Sequence, residues 1–74
     1  MAALDVGDNV GAAAAFASFL VKHPHDPRAE DAAYLRVMAL HRSGDDGSTK
    51  QAAKEYLHRY PAGFRHKEVE VLSR

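Results

Sequence analysis

The chain has 74 residues, with neither Cys nor Trp, and ten basic side chains against ten acidic ones. That length holds one domain near the lower limit for a self-sufficient core, and without cysteines there are no disulfide staples and no thiolate zinc sites. No apolar run nears the ~18 residues that span a bilayer, and Met1-Ala2-Ala3-Leu4 meets Asp5 without the basic start and long apolar stretch of a signal peptide.

Residues 1–7 read as the last turn of a helix closed by Gly7. The first full helix is expected from Asp8 or Asn9 to about Lys22. There Ala12, Phe16, Phe19, Leu20 and His23 recur at the spacing of one helix face. Ala13, Ala14, Ala15 and Ala17 raise helix propensity and let a neighbour approach closely. Pro24 ends this helix. The second is expected over residues 26–44, with Asp26 as N-cap, Pro27 at the first helical position and Gly44 as the left-handed stop. Between Asp31 and His41 its only charge is Arg36, so it is apolar on nearly every side and predicts a middle helix covered by a neighbour before and after.

Gly44-Asp45-Asp46-Gly47 reads as a connector, and Ser48 with Gln51 as the capping box of a third helix. Ala52, Ala53, Tyr56, Leu57 and Tyr60 form its apolar stripe. Pro61-Ala62-Gly63 breaks the chain before a short fourth helix, about Arg65 to Leu72, with Phe64, Val69, Val71 and Leu72 as its apolar set. The expected core is Phe16, Phe19, Leu20, Ala33, Tyr34, Val37, Met38, Leu40, Ala53, Tyr56, Leu57 and Tyr60.

The second half repeats the first at a shift of 37 positions. Gly7-Asp8 falls on Gly44-Asp45, Ala15 on Ala52, Leu20 on Leu57, Pro24 on Pro61, Arg28 on Arg65 and Leu35 on Leu72. The matches sit at caps, breakers and one apolar face, and two helices per unit at such a period point to a helical solenoid. The motif Ala15…Phe19-Leu20…His23-Pro24, echoed by Ala52…Tyr56-Leu57…Tyr60-Pro61, resembles tetratricopeptide repeats, and its Phe-Leu-x-x-His/Tyr-Pro flavour is similar to a bacterial envelope subgroup. The resemblance implies an all-α, right-handed solenoid fragment of antiparallel αα-hairpins. Residues 1–74 are then one domain of about two units, 7–43 and 44–74, with three full helices plus a short fourth. The spacing exceeds the usual ~34, and residues 45–49 are expected to hold the excess. It also implies a protein-binding scaffold, with bacterial cytoplasm and periplasm both open as compartments.

Charge is uneven along the chain. Residues 1–47 carry four cations against seven carboxylates, net −3, and residues 48–74 six against three, net +3. Such a dipole favours head-to-tail contact or docking on a charged partner. The five histidines lack metal-ligand spacing, and Ser18, Ser43, Ser48 and Ser73 lack a nucleophile motif. Catalysis, cofactors and metals are therefore not expected. Arg36, Arg59, Arg65 and Lys67 are the candidate partner surface, Arg36 because its apolar flanks force it along a groove or out to solvent. The first expectation is a non-catalytic scaffold that binds another protein or peptide. The alternatives are a homo-oligomerisation module and a binder of anionic ligands or nucleic acid through the basic end. Tyr56 and Tyr60 lie on the apolar stripe, which argues against base stacking and so against nucleic acid.

Overall fold

The computed structural model describes residues 6–74, with side chains from Asp8 onward. It is all-α: α1 (Val6–Lys22), α2 (Ala29–Ser43), α3 (Asp46–Arg59) and α4 (His66–Leu72), with no strand among the described residues. Among the described residues no helix is long and apolar enough to cross a membrane. The expectation for residues 1–7 lies mostly outside the described residues. Where it can be compared it differs, since Val6 and Gly7 open α1 rather than close an earlier helix.

α2 is the middle helix. It packs on α1 before it and α3 after it, and also meets α4, whereas α1 and α3 make no close backbone approach. The core joins Ala33 and Val37 of α2 to Ala52, Ala53 and Tyr56 of α3 and Val69 of α4, with Leu20, Tyr34, Leu40, Leu57, Tyr60 and Leu72 packed around it. Val37 is fully buried, which contributes about 2 kcal/mol by apolar burial. Phe16, Phe19 and Met38 are only half-buried and stand apart from this cluster. The cause for the two phenylalanines is that, among the described elements, only α2 packs on α1.

Two further helix starts differ from expectation. α2 begins at Ala29, because the Asp26 carboxylate accepts from the Arg28 N–H (2.8 Å) and from its guanidinium (3.2 Å), locking residues 26–28 as a turn. The same bonds hold the Asp26 carboxyl below its ordinary pKa, the Arg28 side chain being the largest cause. α3 begins at Asp46, capped by Asp45 instead of Ser48. The Asp45 carboxylate accepts from the Ser48 N–H (3.0 Å) and its hydroxyl (2.8 Å), while the buried Thr49 hydroxyl donates to the Asp45 carbonyl (2.7 Å). Only residues 44 and 45 connect α2 to α3, so most of the supposed 45–49 insertion is helical. Gly44 closes α2 as expected, at φ 85°.

The turns before α2 and α4 have the same backbone. His23 N–H donates to Phe19 at 2.8 Å, and 37 positions on Tyr60 N–H donates to Tyr56 at 2.8 Å. Asp26 to His23 (3.2 Å) is matched by Gly63 to Tyr60 (3.0 Å), and Ala29 to Asp26 (2.9 Å) by His66 to Gly63 (3.2 Å). The rings repeat as well: Phe19 and His23 lie 5.2 Å apart at 43°, Tyr56 and Tyr60 5.4 Å apart at 46°.

Candidate functional site: a groove floored by Arg36

Because α1 and α3 flank α2 without packing on each other, a groove runs between them with α2 as its floor. It holds two hollows, of about 450 and 250 Å³, that share Ala17 and Arg36. Val10, Ala13, Ala14, Ala17, Leu20 and Val21 line the α1 wall, and α3 contributes Ser48, Glu55 and Arg59. The alanine run read as favouring close approach therefore does two things. Ala13 is buried, while Ala14 faces solvent.

Arg36 rises from the floor between Leu35 and Val37. Its guanidinium donates to Glu55 at 2.7 Å, with the Arg36 side chain 25% exposed and Glu55 54% exposed. An ion pair this open contributes at most about 1 kcal/mol. Its chemical use is to present a charged donor and acceptor in an apolar trough. Arg59 closes one end, donating to the Pro24 carbonyl at 3.1 Å and so tying α3 to the end of α1.

The other two sequence candidates lie elsewhere. Arg65 stacks on the Tyr34 ring at 4.9 Å and approaches Glu68 at 3.6 Å, on the α2–α4 side. Lys67 is exposed on α4. The four basic residues thus do not make one surface: Arg36 and Arg59 share the groove, and Arg65 and Lys67 do not.

Sequence reading missed the polar knot that fixes the groove's frame. Tyr56, 1% exposed, donates its hydroxyl to Glu30 at 2.9 Å. The same Glu30 oxygen accepts the Phe64 N–H at 2.9 Å, and the Tyr56 oxygen accepts the Arg65 N–H at 3.2 Å. Burial first, then the Glu30 bond, push the Tyr56 pKa up to about 12. Phe64 matters through its N–H alone; its ring is 99% exposed, not part of an apolar set. One signal was available in the sequence: a tyrosine on an apolar stripe needs an acceptor when buried. The structure adds that Gly63 sits where a Cβ would meet Glu30 Oε2 at 2.5 Å and Tyr56 Oη at 2.6 Å.

These features define a class, a small all-α protein with an open interhelical groove. Comparisons with protein-family models, with curated proteins and with solved structures found no match.

Proposed function

We propose that the chain is a non-catalytic protein-interaction module of tetratricopeptide-like build, two antiparallel αα-hairpin units over residues 7–43 and 44–74 in a right-handed array, and that a partner protein or peptide lies in the α1–α3 groove. The observation that carries this reading is Arg36 on the α2 floor of the trough, ion-paired with Glu55 of the α3 wall and faced by Ala13, Ala14 and Ala17 of α1. Those short side chains leave room for a partner's backbone. A partner carboxylate competes with Glu55 for the guanidinium, and Arg59 adds a second cation at the Pro24 end. The turn geometry repeated at 37 positions supports the two-unit organisation.

The test is selection of peptide ligands from a display library against the intact chain, followed by groove variants. Ala17→Trp fills the trough and should abolish binding, and Arg36→Ala should weaken acidic ligands. Selected ligands that bind Ala17→Trp and Arg36→Ala as well as the parent chain would contradict the assignment.

A further inference from the structure

The chain presents one surface twice, once covered and once open. The open copy is a hollow of about 420 Å³ between α1 and α2, lined chiefly by Ala15, Phe16, Phe19, Arg28, Asp31 and Leu35. Moved by 37 positions, these residues are Ala52, Ala53, Tyr56, Arg65, Glu68 and Leu72. In that second copy the cover is α2 itself. Ala33 and Val37 join Ala52, Ala53 and Tyr56 in the core, the Tyr34 hydroxyl donates to Glu68 at 2.8 Å, and Arg65 lies over the Tyr34 ring. In the first copy no described element covers the equivalent face: Leu35 is 41% exposed and the Arg28 guanidinium, 5.5 Å from the Phe19 ring, stands at its edge.

We infer that the α1/α2 face is a docking site for an amphipathic helix of another protein that carries the α2 pattern, an alanine, an adjacent tyrosine and a β-branched residue one turn on. The tyrosine hydroxyl meets Asp31 as Tyr34 meets Glu68, and Arg28 covers its ring as Arg65 covers that of Tyr34. The inference goes beyond the groove reading and does not rest on it.

Three differences between the copies say how the occupant departs from α2. Phe19 has no hydroxyl where Tyr56 has one. Asp26 supplies its own carboxylate to the turn where Gly63 has no side chain, and Pro27 has no N–H where Phe64 donates to Glu30. Every group that calls for Glu30 in the second half is missing from the first. The face therefore stands open without an orphaned donor, which suits a reversible partner, and the occupant needs no carboxylate at the Glu30 position. In a second copy of this chain the repeat equivalent of α2 is α4, and there the positions of Glu30 and Ala33 are Lys67 and Glu70. A charge in place of the buried Ala33 makes α4 a poor plug for this face.

The probe is a fluorescent peptide with the sequence of residues 26–44, titrated into the intact chain. We expect saturable binding that Leu35→Glu in the chain weakens at least about tenfold, as does Val37→Asp in the peptide. Glu30→Gln in the peptide should leave affinity unchanged. Sensitivity to that change would mean that the peptide displaces the native α2 from α3 and α4, and would overturn the assignment. So would absence of binding at roughly 1 mM peptide, or indifference to Val37→Asp, which is a peptide change and cannot unfold the chain. Sedimentation showing dimers that Leu35→Glu dissolves would give the face to a second copy and also overturn it.

Discussion

The two long turns of this protein have one backbone and two ways of satisfying it. In the turn before α2, Asp26 supplies the acceptor for the Arg28 N–H from two residues away, and Pro27 removes a donor altogether. In the turn before α4, the Phe64 and Arg65 N–H groups have no such local partner and reach Glu30 of α2 and Tyr56 of α3. The first turn is therefore complete by itself. The second is complete only when three helices are in place, so its hydrogen bonds report tertiary structure while those of the first report local structure.

The sharpest way to break this comparison is Gly63→Ala. The new methyl would collide with Glu30 Oε2 and Tyr56 Oη, and forcing them apart should cost about 2–3 kcal/mol in denaturant unfolding. Asp26→Ala, at the matching position, removes only a local acceptor on the surface and should lower the midpoint far less. Equal losses at the two positions would erase the distinction.

Tyr56→Phe comes next, with an expected loss of about 1–3 kcal/mol, because the Arg65 N–H loses its acceptor and Glu30 loses a donor. The same hydroxyl predicts an alkaline limit. Its folded pKa of about 12 lies above the ordinary 10.0, so the stability it contributes is full below about pH 10 and is lost as the pH rises through about 12. A pH series of urea midpoints should fall over that window in the parent chain and fall less in Tyr56→Phe. The smallest effect is expected at Tyr60→Phe. That hydroxyl is buried without a protein partner, so its removal should change stability by less than about 0.5 kcal/mol or raise it. Neighbouring tyrosines one turn apart would then separate by their hydroxyls alone.

Much of the fold was legible because its markers are local. Pro24 and Pro61, and Gly44, announce turns through backbone preferences that act within a few residues. The cap of α3 was misplaced for the same reason: Ser48 with Gln51 satisfies a local capping rule, but Asp45, read as connector, is the residue whose carboxylate caps the helix. The site was legible only in part. Arg36 betrayed itself by its apolar flanks, but its partner Glu55 is 19 residues away and no spacing rule reaches that far. Glu30 lies in the first turn of α2, where the helix dipole alone accounts for a carboxylate, and its reach to Tyr56 and Phe64 depends on how α3 and α4 lie over α2. The apolar count misled at Phe16, Phe19 and Phe64, since pattern gives the face of a helix but not whether anything covers it.

Amide hydrogen exchange by NMR tests the central claim most directly. In the parent chain the Phe64 and Arg65 amides should both be protected, and in Tyr56→Phe both should lose protection while Arg28 keeps its own. A Phe64 amide that exchanges freely in the parent chain, or an Arg28 amide that loosens together with Arg65, would contradict it.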